Sequence, residues 1–292
     1  MTAETLIQII VSGLLTGLIY ALIAAGLSLI FGLMDVVNFA HGEFLMVAMY
    51  AAFFLWVAFA LDPLLALPVV AGFLFLIGVM VYRVFITRAL SLKVNSGMAQ
   101  IFVTFGLAIF LRGVAQFAFG PDFRAIRGAF LSDKTMSVAG IYLPLPQLAG
   151  AAVCVAAFLG LWLLTTRTDF GRALEATRED REAVALIGID RHYIFSVGWG
   201  IGAATVGIAG TMLALFYYVS PIIGDVFALI AFVTVALGGF GSLMGALIAG
   251  LAIGLVEALT AILISPAMKQ IGIFALYLLV IFLRPRGLFG KL

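Results

Sequence analysis

Three side chains able to handle a polar solute, Asn38, His41 and Glu43, lie within one nine-residue stretch, Asp35-Val-Val-Asn-Phe-Ala-His-Gly-Glu43, between two long apolar runs. Ionisable groups are costly in hydrocarbon, so they face protein, a partner charge or a water-filled cavity. Gly42 allows a close approach or a strained backbone there. One reading is a helix break whose polar groups line or gate a pathway. The other is a capped turn, with Asn38 capping the next helix, Glu43 supporting its first turn and His41 at the interface. Spacing alone favours the capped turn. Glu257, near the middle of another apolar run, is a further pathway or gate candidate: it must be protonated, paired or turned to a cavity. Arg112, near the end of its run, reads as a snorkelling side chain, and Asp225 as a helix N-cap.

Other chemistry is excluded. There are two histidines, His41 and His192, and one cysteine, Cys154, whereas zinc needs three or four ligands. No serine stands in a nucleophile motif beside a histidine. No GxxxxGK[ST] motif occurs, so ATP cannot be hydrolysed by that route. No metal, cofactor or catalytic residue is expected. The net charge of +2 comes with no basic run able to track phosphates, which argues against nucleic acid. Cys154, inside an apolar run, reads as a small packing residue.

The 25 residues Arg167 to Arg191 are unlike the rest. They hold five arginines and six acidic residues, 11 of the chain's 30 charged side chains. Such a segment between membrane spans sits in water and offers a surface to a soluble partner. Phe170-Gly171 reads as a turn, Arg172 to Ile187 as one helix of good helix formers, and Gly188 as its stop. Glu175–Glu179 is a like-charge i,i+4 pair, and Arg178–Glu182 has opposite signs in the less favourable order.

The elements that must position these groups are membrane helices. The chain has 292 residues, 65% hydrophobic and 10% charged, against about 25% charged in soluble domains. A span needs about 20 apolar residues, and eight or nine fit: 6–33, 44–61, 64–84, 98–119, 147–166, 193–219, 226–237, 243–264 and 271–283. The fold class is therefore an all-α polytopic membrane protein, one domain over 1–292, with broken helices near 35–43 and 238–242. Those two breaks hint at an internal duplication around a central pathway. The segment 120–146 reads as a mixed loop. Basic loops at 83–93, 167–191 and 284–291 fall on one side by span counting, which the positive-inside rule makes cytoplasmic; the N-terminus is then external. Small-xxx-small spacings at Gly13/Gly17, Gly241/Gly245 and Gly250/Gly254 predict close helix packing.

Four blocks, GLSLIFGLMDVVNFAHGEFLMVAMYAA, RALEATREDREAVALIGID, ALGGFGSLMGALIAGL and FLRPRGLFG, spread from residue 26 to 290, resemble the LivH-type permease subunits of branched-chain amino acid ABC importers. The resemblance implies a permease of a bacterial inner-membrane importer. It implies a LivM-like second permease, two cytoplasmic ATPases and a periplasmic binding protein as partners. It places an ATPase-coupling helix at residues 173–189, where Thr177, Arg178, Asp180, Ala183 and Gly188 match the pattern. Asn38, His41 and Glu43 match a block without receiving a solute-contact role from it. Importers for urea, amides and aromatic carboxylates share the family, so the solute stays open. An ion-coupled carrier working alone is the competing reading, with Glu257 and the 35–43 residues as its only candidate relays.

Overall fold

The computed structural model describes residues 3–91, 96–138, 140–180 and 183–290. Its helices are α1 (Ala3–Met34), α2 (His41–Phe59), α3 (Pro63–Val81), α4 (Thr87–Leu90), α5 (Ser96–Phe119), α6 (Leu145–Arg167), α7 (Asp169–Glu179), α8 (Ala183–Leu186), α9 (Arg191–Leu213), α10 (Ile223–Gly238), α11 (Leu243–Leu263) and α12 (Lys269–Leu283). A π-helical turn, Tyr82–Ile86, joins α3 to α4 without a break. Among the described residues, eight helical stretches are long and apolar enough to cross a membrane. α10, with 16 residues, is about 24 Å long, short of the roughly 30 Å hydrocarbon core. The chain is an all-α polytopic membrane protein.

α1 is the central post, and glycine decides what it touches. A Cβ on Gly17 would stand 2.8 Å from the carbonyl oxygen of Gly250, and one on Gly13 2.9 Å from that of Gly254. Backbone thus meets backbone along the antiparallel α1–α11 seam, the close approach that small residues permit in lipid. α9 crosses α1 the same way, with Gly26 against the Gly202 carbonyl. Around this core α5 and α12 present mostly apolar side chains outward, such as Phe102, Phe110, Leu278 and Phe282.

Both ends of the bundle can be traced from contacts. At one end Gly32 meets Gly241, Arg178 reaches Gly241, and the tail hydrogen-bonds α10 through Leu288 N to Leu237 O. Tyr82 bonds His192 there too. The described parts of the three basic segments therefore share one end, as span counting predicts; Lys93 and Lys291 lie outside the described residues. At the opposite end Gln8 pairs with Tyr142 and Arg124 with Val219.

Three sequence expectations need correction. The segment 120–146 contains an antiparallel hairpin, β1 (Thr135–Val138) with β2 (Ile141–Pro144), Thr135 opposite Pro144. Its alternation is too short to stand out beside the spans. The sixth span ends at Leu213, not Val219, because Val219 leaves the helix to bridge Arg124. The expected break at 238–242 is present, as a turn joining α10 to α11 at the bundle's end with Gly239 and Gly241 at positive φ, but it does not pair with the break at 35–43. The break that faces residues 35–43 lies instead at the start of α10, where a Cβ on Gly42 would stand 3.0 Å from the Cα of Ala228.

Candidate functional site

The break after α1 returns the chain into the bundle. Asp35 takes a left-handed φ of 55°, and α2 begins only at His41, whose Nε2 lies 2.9 Å from the carbonyl oxygen of Ile23. Ile23 is eleven residues before the end of α1, about 16 Å along its axis. The polar residues at the start of α2 are therefore held well inside the bundle. Asn38 builds the turn: its Oδ1 accepts from Ala40 N at 3.1 Å and its carbonyl from His41 N at 3.2 Å. The helix cap itself is Ala40, without a side-chain cap.

His41 is not at the interface; it is fully buried. A carbonyl can only accept, so Nε2 carries the proton and Nδ1 is left as a buried acceptor without a partner. Glu43, two residues on, accepts from Arg112 through Oε1, at 3.2 Å from Nε and 2.6 Å from Nη2. The same Nη2 donates to Asp225 Oδ1. One guanidinium thus joins α5 to α2 and α10. Side-chain exposure rises from 3% at Glu43 to 31% at Arg112 and 54% at Asp225, so the cluster runs from the interior to an open face. Glu43 Oε2 and Asn38 Nδ2 are buried without partners.

Sequence reasoning gave Arg112 and Asp225 other roles. Arg112 does not snorkel, because a buried carboxylate lies within reach and outcompetes the interface. Asp225 is the third residue of α10, whose N-cap is Ile222. The signal that could have found the cluster is charge arithmetic: opposite charges in apolar runs seek one another.

Glu257 takes no part. It sits two-thirds of the way along α11 and pairs through Oε1 with Lys269 Nζ at 2.6 Å. Of the states its sequence allowed, it is paired, and the pair ties α11 to the start of α12.

The charged stretch begins with Thr168, which caps α7 by accepting from Gly171 N at 3.2 Å. Phe170-Gly171 is thus inside the helix, not a turn. Leu174 and Thr177 are buried against the bundle, and Thr177 returns its hydroxyl to Ala173 O at 2.6 Å. The expected single helix is broken at Asp180, which is extended and accepts from Ala183 N at 3.0 Å, so α8 starts on its own cap. The Arg178–Glu182 pairing falls outside the described residues. Gly188, at φ 82°, ends α8, and Ile189 N closes on Val184 O in the manner of a Schellman stop. Ala183 is exposed while Val184 is buried. Leu186 and Ile187 stand 89% and 73% exposed at the apex.

The sequence profile described as "Branched-chain amino acid transport system / permease component" matches residues 9–283. The chain belongs to this permease family. The permease is 31% identical to the high-affinity branched-chain amino acid transport system permease protein BraD of Pseudomonas aeruginosa, over 98% of this chain and 96% of that one. It is 30% identical to LivH of Escherichia coli K12 with the same coverage. It is 29% identical to a probable LivH of Methanocaldococcus jannaschii, over 82% of this chain and 76% of that one. As a permease component it is a transporter subunit in a multi-pass membrane protein, not an enzyme.

Proposed function

We propose that this permease is the membrane subunit of an ATP-driven importer that moves branched-chain or chemically related amino acids across the bacterial inner membrane, with its C-terminus cytoplasmic. It pairs with a LivM-like second permease, docks two cytoplasmic ATPases and receives solute from a periplasmic binding protein. The names of its relatives support the solute class. The observation that carries the coupling is the apex of α8: two apolar side chains offered to water at the tip of a charged segment. Such knobs need a groove on a partner. Asp180 and Gly188 set the two ends of α8, Ala183 lies on its open face, Thr177 seats α7 in the bundle, and Arg178 holds α7 near the α10–α11 turn. ATP binding drives transport only if the ATPases grip this segment differently in their two states.

Asn38, His41 and Glu43, joined by Arg112 and Asp225, form the gate. Buried donors and acceptors without partners can accept a zwitterion in passage. Glu257 fastens α12 instead. Coexpression with the ATPases tests the coupling: L186D/I187D is expected to abolish their co-purification while the chain stays monodisperse. Undiminished co-purification would refute it. Uptake by vesicles holding this chain alone, driven by an ion gradient without ATP, would overturn the importer reading in favour of a carrier.

A further inference from the structure

At the end of the bundle that carries α7, a cavity of about 240 Å³ opens between α1, α6, α7 and α11. Its polar wall holds Arg178, Ser28, Thr165, Thr166 and Ser242. Arg178 makes no hydrogen bond or ion pair among the described residues, and its Nη2 would lie 3.0 Å from a Cβ on Gly241, so the guanidinium rests against that turn. Ser28 is 1% exposed and its Oγ has no partner. Both threonine hydroxyls donate to carbonyls of α6, which leaves their oxygens able to accept only. Leu243 and Met244 begin α11 on the same wall; the first amides of a helix have no carbonyl of their own and favour an anion. Glu175, exposed on the rim, is the one carboxylate among the described residues that line the cavity.

A second cavity of about 370 Å³ lies beside the first. It is lined by Leu18, Cys154, Phe158, Leu159, Leu247 and Leu251, and shares Trp162 and Met244 with its polar neighbour. It lies between α1, α6 and α11. Trp162 is five residues from the end of α6, the level at which aromatic rings mark the lipid–water boundary. Cation, orphan hydroxyl and helix start thus sit at headgroup depth, with an apolar trough running from them into the bilayer.

We propose that the two cavities together hold one anionic phospholipid: its phosphate against Arg178, Ser28 Oγ and the first amides of α11, and an acyl chain along the trough. Basic pockets between spans at one leaflet take anionic headgroups in this manner. Because Arg178 is on α7, the lipid would fix the segment proposed to meet the ATPases. The site itself stands on this geometry and not on which solute is carried.

Trp162 supplies the probe. The purified full chain is placed in phosphatidylcholine nanodiscs with rising fractions of phosphatidylglycerol brominated on its chains, and the Trp162 signal is taken as the difference from a Trp162→Phe variant. Saturating quenching at a low fraction of the anionic lipid is expected. Arg178→Gln should raise the half-quenching fraction about fivefold, the weight of one basic group at a lipid surface; Arg178→Lys should recover most of it, and Glu175→Gln should lower it. Equal quenching by brominated phosphatidylcholine would overturn the proposal, and this comparison needs no variant of Arg178. Relief of the quenching by inorganic phosphate would assign the anion to solution, and its loss on adding the second permease would make the trough a protein interface; either result overturns it.

Discussion

Among the described residues, a single ion pair and a three-residue charge cluster tie spans of this permease together, and they are built differently. Glu257 and Lys269 pair through one carboxylate oxygen across neighbouring helices, with the hydroxyls of Tyr20 and Tyr217 beside them. Glu43, Arg112 and Asp225 share one guanidinium among three helices, with a carboxylate oxygen and nearby amide and imidazole nitrogens left unsatisfied. A closed pair behaves as a fastener, which apolar residues of similar volume can often replace without loss. An open cluster with two negative groups competing for one positive group can exchange partners, which a moving gate requires. The difference teaches that burial alone does not mark a proposed gate; a charge shared among three helices, with unsatisfied groups around it, is the feature the proposal rests on.

The sharpest way to break this contrast is Arg112→Met. Glu43 would keep a buried charge without its partner, a loss of about 3–5 kcal/mol, read as a fall in the denaturation midpoint together with loss of uptake. Adding Glu43→Gln should return most of the stability and none of the transport. If the double variant is as unstable as the single, Arg112 is not held by Glu43. Next in size, Glu257→Leu alone should cost about 1–2 kcal/mol, since Lys269 can still reach water, while Glu257→Leu with Lys269→Leu should come within about 1 kcal/mol of the parent and keep transporting. Lost uptake in that double variant would move Glu257 back among the gate residues. The smallest effect is expected from Asp225→Asn: its side chain is 54% exposed, so screening holds the stability change below about 1 kcal/mol. Its signature should be an altered KM for uptake, and an unchanged KM would remove Asp225 from the gate.

Hydropathy made the spans legible because every backbone group in lipid must be satisfied within its own helix. The α1–α11 glycine seam was legible for a related reason, since small residues at intervals of four favour close packing there; Gly241/Gly245 shows the same spacing, but Gly241 lies in the α10–α11 turn. The partners of Glu43 were not. They lie 69 and 182 residues away, the second through a guanidinium 113 residues from Asp225, and only the packing of α5 and α10 brings them in. Asp180 misled because its neighbours are good helix formers; its carboxylate capping Ala183 N outweighs their propensity. His41 misled because nothing local announces that α2 starts against Ile23.

The α1–α11 seam sets how this molecule can move. Where glycine lets two backbones touch, no layer of flexible side chains remains to absorb a small slip, so the two helices must travel together or jump by a whole notch. α1 and α11 thus act as one stiff keel. Displacement has to be taken up at joints made of charges and single hydrogen bonds, and the guanidinium linking α5 to α2 and α10 is such a joint.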